Sequence, residues 1–555
     1  MYLLLPGAWR QVPFPQHVRA SPVHRILYEA VMKRFASIDF LRGLAIFVML
    51  ILHTSMDSLD LNDYLDRLGS LSLLEGAAFI VLPYLGGAAG FFLMLSAMGN
   101  MFSMTRHLER GGTVRDLIVK QTVGGAVLLL FGMLSEGVIG YHGALGNLFQ
   151  IRGPLSTWHW QVCLSRIYHF ETIHTIAWCL ILNGLVHGLL SRRQRWRNPG
   201  RQIRNYAILS FIVLALTPLM WRWVDRLMPG YPYAPGAYPI LGKDPFGKHA
   251  MVFFLSPLAG FPEPVFPYLA ASFIGSILGI QLWSSKLSGN VETHNKPKQR
   301  FPYVSAKVGL CLFLIGSAGL LVNLYFVLSK DVDAFIGLYR ILFDHRYWTA
   351  DHGVPYAGWL FQFLSLNGAS MCWILLVVKL VEFRGKAAVL GKRTAWMRRF
   401  GFVAFTVYTI QWIYFLCHRF VSHLLGVPYG LHNLRWGPVL LTAGLALLSF
   451  HLLLLAWERI RYIGSLEYWM GTLLAALVPA KRRALKREGT SWWQWGLLDA
   501  RNVFYEVNWL NCAASPLNVW TKRIAVVGFL LFAFAVGISP FLTLKDVGLE
   551  ALFAR

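Results

Sequence analysis

The sequence predicts an all-α, polytopic integral membrane protein of ten to eleven transmembrane helices, with its N-terminus in the cytoplasm. Three observations predict it. The chain is 56% hydrophobic and only 14% charged, against about 25% charged in an average soluble domain. Apolar runs long enough to cross hydrocarbon, about 20 residues each, recur along its length. The basic residues sit in short loops at one alternating set of run ends, the pattern that fixes orientation in a membrane.

The arm at residues 1–33 is basic and carries Pro6, Pro13, Pro15 and Pro22. Its apolar start is far too short for a signal peptide, so it reads as a cytoplasmic arm. Eleven spans follow, near 37–56, 77–102, 121–141, 170–191, 205–222, 263–283, 307–328, 357–380, 401–424, 436–456 and 523–543. Pro83 separates an interfacial helix from the second span proper, because a proline interrupts the helical hydrogen-bond ladder.

Loop charge orients these spans. Arg106, Arg110, Arg115 and Lys120 follow span two, and Arg192, Arg193, Arg195 and Arg197 follow span four. Lys296, Lys298 and Arg300 follow span six, Lys392, Arg393, Arg398 and Arg399 span eight, and Arg459, Arg461, Lys481 and Arg482 span ten. All fall on the side of the basic arm, as the positive-inside rule requires. The expected location is therefore the cytoplasmic membrane, inner or plasma, crossed many times. The net charge of +25 reports topology and contact with anionic lipid rather than nucleic acid binding. Opposite loops are longer and rich in His, Pro and aromatic residues, at 142–169, 223–262 and 329–356. Long outer loops serve as lids or binding surfaces, or as partner interfaces. Residues 476–555 form an interfacial, Trp-rich segment plus one further span.

Six cysteines show no CxxC pair and no metal-type spacing. Cys179, Cys311, Cys372 and Cys417 lie in apolar runs and read as packing residues.

Ionisable groups in hydrocarbon are costly and mark function. Asp39 and Arg42 are three residues apart on span one, on one helix face, where they can pair as a structural ion pair or serve a ligand. His53 lies fourteen residues after Asp39, roughly 21 Å along the axis, which sets it near the outer boundary. An imidazole there is either an interfacial residue or a general base. Glu136 on span three and His169, Glu171 and His174 on span four sit at similar depth. Acids and bases that converge in a cleft signal an active site, the alternative being hydrogen bonding between helices. Tyr408 and Gln411 lie near mid-membrane on span nine, with the same two readings. No HExxH or comparable ligand motif is present, so no metal is expected.

Arg34 to His53 reads RFASIDFLRGLAIFVMLILH. This resembles the opening of the transmembrane acyltransferase superfamily, most closely the heparan-α-glucosaminide N-acetyltransferase-like proteins and their bacterial relatives. Further elements resemble the family in order: Gly90 to Ser96, with Ala97 where the family has Gly; Ile173-His174 to Ala177; Phe266-Pro267 to Gly275 and Gly279; Phe405-Thr406 to Tyr408 and Gln411; and Arg459 to Tyr468. The resemblance covers residues 34–475.

It implies transfer of an acyl group, usually acetyl, from cytoplasmic acyl-CoA to a hydroxyl or amine acceptor, glycan-like, on the far side. His53 matches the family's catalytic His, with Glu171, His174 and Glu136 as its companions. Asp39, Arg42, Ser96 and Gln411 are the donor-binding candidates. Expected partners are the bilayer, acyl-CoA, the acceptor and a homo-oligomer or larger membrane complex. The alternative expectation is an inactive, structural or accessory subunit built on the same scaffold.

Overall fold

The computed structural model describes residues 35–60, 72, 88–109, 111–150, 157–229, 231, 237–260, 263–288, 301–328, 358–384, 389–390, 393–459, 462 and 464–478. The arm at 1–33, the interfacial helix before Pro83, the outer loop at 329–356 and the span at 523–543 lie outside them.

Helix is the only extended secondary structure among the described residues, with one isolated parallel bridge between Leu59 and Leu434. Eight helical stretches are long and apolar enough to cross a membrane. They coincide with expected spans one, three to eight and ten. In chain order the helices are α1 (Ala36–Ser58), α2 (Ala88–Glu109), α3 (Val114–Leu134), α4 (Ala144–Gln150), α5 (Thr157–Ser165), α6 (Thr172–Ser191), α7 (Pro199–Leu227) and α8 (Phe246–Ala259). They continue as α9 (Val265–Ser288), α10 (Tyr303–Leu328), α11 (Gly358–Val378), α12 (Ala395–Phe402), α13 (Ala404–Thr409), α14 (Ile413–Leu424), α15 (Trp436–Arg459) and α16 (Leu466–Leu477).

Local chemistry sets the ends. The Thr113 hydroxyl accepts the Asp116 N–H to start α3. The Asn198 amide oxygen accepts the Arg201 N–H, with Pro199 in the first turn, to start α7. Both are N-caps that replace orphan backbone bonds.

Packing sorts the helices into centre and rim. In α9, 78% of the most apolar stretch is buried, and in α1 67%, whereas in α10 the share is 17%. A helix apolar on all sides yet so little covered by protein faces lipid. The centre is held by close approach. α9 lies on α2 where Gly275 meets the backbone: a Cβ there would stand 2.6 Å from the Met94 Cα. α1 crosses α12 through Gly43 and Gly401, again backbone to backbone. Small residues at such crossings are how membrane helices gain van der Waals contact.

Two expectations are corrected. Span nine is not one helix: it is divided into α12, α13 and α14, with non-helical backbone at Val403 (φ −114°, ψ 47°) and a turn at Ile410 (φ −92°, ψ 19°). The freed amides do not face lipid. The Glu467 carboxylate accepts the Phe405 N–H at 2.7 Å and the Thr406 N–H at 3.3 Å, so α16 supplies the acceptors a broken membrane helix needs. Cys311 is not a packing residue but lies exposed on α10, on the face turned away from the bundle.

Candidate functional site

The last two turns of α1 carry the central groups. His53 and Asp57 are one helical turn apart and share a face. His53 is half-buried, and its ring centroid lies 5.8 Å from that of Tyr141. The Gln411 side chain, in the break between α13 and α14, reaches the same imidazole. The Tyr414 hydroxyl donates to the Asp57 carboxylate. His53 Nδ1 is enclosed and has no protein partner.

The facing wall is irregular backbone. α3 ends in a π turn, Ser135–Ile139, a geometry that recurs at functional sites because it leaves carbonyls to be satisfied from outside the helix. Here the Trp412 indole donates to the Ile139 carbonyl at 3.1 Å, and the Ser135 and Thr409 hydroxyls bond at 3.0 Å. The π turn is therefore stitched to the broken helix. That stitch presents Glu136 inward, where its carboxylate accepts the Tyr408 hydroxyl at 3.3 Å.

The outer wall comes from the segment before α6. Arg166 lies within electrostatic range of Glu136, Glu171, Tyr141, His142 and His169. Glu171 in turn faces Glu136 and Glu263. The Thr172 hydroxyl donates to the Glu263 carboxylate. Two carboxylates, Glu136 and Glu171, thus share one guanidinium, and Glu263 adjoins Glu171. The His169 ring packs against Tyr238 at a tilt of 40°, with ring centroids 4.3 Å apart. Burial pushes the Tyr238 phenol up from its ordinary value, and neighbouring Tyr231 adds to that.

Of the residues singled out from sequence, His53, Glu136, Glu171 and Gln411 come together. His174 lies at the edge. Its Nδ1 accepts the Glu171 N–H at 3.2 Å as part of the cap of α6, and it is 2% exposed against Gly132. Asp39 and Arg42 are buried at the opposite end of α1. There Asp39 pairs with Arg398 of α12 at 3.3 Å, a partner 359 residues away. Ser96 is half-buried on α2. Asp57, Tyr141, Arg166, Glu263 and Tyr414 were not read from sequence as site residues. For Asp57 the signal was present, since it follows His53 by four residues on one helix. For Arg166 nothing in the loop's composition distinguished it.

His53, Asp57, Tyr141, His142, Arg166, Glu171, Glu263 and Tyr408 all keep partial exposure while lying among packed helices. Polar groups of this kind line a cleft rather than a lipid face. An imidazole with a carboxylate one turn away can accept and pass on a proton. A guanidinium and phenols opposite it can stabilise negative charge that develops on an oxygen. Among the described residues no group of three or more His, Cys, Asp or Glu side chains is arranged to hold a metal ion. No family model, curated protein or solved structure matches the chain.

Proposed function

We propose that this chain is a membrane-bound acyltransferase, dependent on acyl-CoA and most simply on acetyl-CoA. The reading rests on one observation: His53 is accessible inside the bundle, with Asp57 and Gln411 at its side and Arg166, Glu136 and Glu171 across the cleft. The motif resemblance in span one supports the same role for the same residue.

In this reading the acceptor, a hydroxyl or amine with glycan-like polarity, enters from the side of the His-rich and aromatic loops. His53 removes its proton as it attacks the thioester carbonyl. Arg166 stabilises the tetrahedral oxyanion. The donor arrives from the basic side, where Asp39 and Arg42 line the end of α1, Ser96 lies on α2, and loop cations attract the anionic nucleotide. That side is the cytoplasm, so the N-terminus is cytoplasmic and the cytoplasmic membrane is the chain's location. Single-cysteine labelling from either face tests the orientation.

The test of activity is thiol release from acetyl-CoA by the purified protein, with glucosamine as acceptor. Wild type is expected to release thiol, and His53→Ala to lose that release while keeping its melting temperature in detergent. Equal release by the variant removes His53 from the reaction.

A further inference from the structure

The reaction proposed above leaves a proton on His53, and the outer end of α1 holds groups that the reaction itself does not use. Asp57 lies one turn after His53 on α1 and is joined through its backbone to a second histidine, His432. His53 is half-buried in the cleft; His432 is exposed in the segment between α14 and α15. The His432 N–H donates to the Asp57 carbonyl at 2.8 Å. The Leu434 N–H donates to the Ser58 carbonyl at 2.9 Å, and the Asp60 N–H to the Leu434 carbonyl at 2.9 Å. These bonds clamp the segment onto the end of α1.

His432 adopts a left-handed backbone (φ 55°). That conformation costs a non-glycine residue roughly 1 kcal/mol and persists where surroundings enforce it. Its neighbour Asn433 explains the enforcement. The Asn433 amide oxygen meets His418 Nε2 at 2.7 Å, and His418 Nδ1 meets the Ser58 hydroxyl at 3.2 Å. With both ring nitrogens engaged, His418 is a clasp. His432 is held beside Asp57 and open to water.

We propose that Asp57 and His432 form a proton exit from His53 to the outer solvent, a role that rests on the acyltransferase reading. The groups facing Asp57 are His53 on its own helix, Tyr414 of α14, Tyr141 after the π turn, and His432. Those facing His432 are Asp57 and His418. Tyr414 donates to the carboxylate and so holds it in place.

The acceptor oxygen forms a bond to the acyl carbon while its proton passes to His53. The carbon–sulfur bond breaks, its electron pair leaves on sulfur, and the thiolate takes a proton from water on the donor side, leaving hydroxide there as the counterpart of the proton released outside. The proton on His53 passes by way of water to the Asp57 carboxylate, then in the same way to the His432 imidazole, then to outer water. Ester and free thiol are the products, and His53 returns to its neutral form. Asp57 and His432 are positioning and relay groups that touch neither substrate.

Buffer rescue separates a relay from a structural role. Asn tolerates the left-handed region, so His432→Asn keeps the backbone. Thiol release from acetyl-CoA with glucosamine as acceptor is followed in weak buffer and then with rising imidazole. The expected result is a loss of roughly tenfold for His432→Asn in weak buffer, the low end of what a lost proton-transfer group costs, restored by imidazole. Asp57→Asn is expected to lose at least as much and not to be restored, because its position lies inside the clamp. His432→Asn matching wild type in weak buffer overturns the relay, as does a loss that imidazole leaves unchanged. Wild type releasing thiol no faster than His53→Ala, with glucosamine or water as acceptor, overturns the acyltransferase reading, and the relay falls with it.

Discussion

Gly401 of α12 lies directly on Gly43 of α1: a Cβ on Gly401 would stand 2.6 Å from the Gly43 nitrogen and 2.6 Å from the Asp39 carbonyl oxygen. The two backbones touch with no side chain between them, at the level of the Asp39–Arg398 ion pair. Replacing either glycine forces the helices apart. Gly43→Ala is expected to destabilise by about 1–3 kcal/mol, the usual penalty for overpacking. Gly444 of α15, where a Cβ would meet nothing within 4 Å, is the control. Gly444→Ala is expected to be neutral or stabilising by up to about 1 kcal/mol, as Ala for Gly is in a helix. Thermal unfolding in detergent measures both, and equal melting points for the two variants would refute the crossing.

The Asp39–Arg398 pair is 12% and 6% exposed by side chain. Removing one partner takes a charge contact from the other in a buried setting, which costs up to about 3–5 kcal/mol. Asp39→Asn and Arg398→Met are each expected to be strongly destabilising, and the double variant less so than their sum. A double-mutant cycle on unfolding reads the difference, and additive losses would count against the pair.

Tyr408 holds Glu136 through a single hydrogen bond from its hydroxyl. Tyr408→Phe removes that bond and little volume. A several-fold fall in thiol release is expected, with stability lowered by no more than the about 1 kcal/mol that one hydrogen bond contributes. Full activity in the variant would place Glu136 outside the reaction.

Asp244 lies outside the spans, where its carboxylate accepts the Ile240 N–H and the Lys248 ammonium, both contacts holding its pKa below the ordinary 3.8. A lowered folded value means that the contribution is complete above about pH 4. It is lost as pH falls through the folded value. Protection of the Ile240 amide, taken relative to its intrinsic exchange rate at the same pH, is therefore expected to hold at pH 5 and to fall once the pH drops below the lowered folded value, and Asp244→Ala is expected to show weak protection throughout. Full protection in that variant would rule the contact out.

Hydropathy made most of the bundle legible. Spans one, three to eight and ten were visible because a crossing helix must stay apolar for its full length. The break in span nine was not, because hydropathy carries no record of backbone path, and Phe405 and Thr406 look the same in a straight helix as in a broken one. Gly275 and Gly279 stood out only as elements of a motif resemblance, and the crossing of Gly275 on α2 was not read from them. Asp39 was legible as a paired residue, but Arg398 as its partner was not, since the contact joins distant parts of the chain. At the outer end, equal depth along the spans identified Glu136 and Glu171 as neighbours of His53. Arg166 and His432 sit in connecting segments, whose course no periodicity describes.

Glu467 ties two ends of the sequence into one unit. It comes after the last long apolar helix of the described residues, yet its carboxylate satisfies main-chain amides some sixty positions earlier. A fragment cut after α15, though it retains every long helix among the described residues, would strand those amides in an apolar interior. Expression trials that trim the chain should therefore keep everything through Leu477, and a split-chain experiment with α16 supplied separately would show whether this short helix docks as a plug.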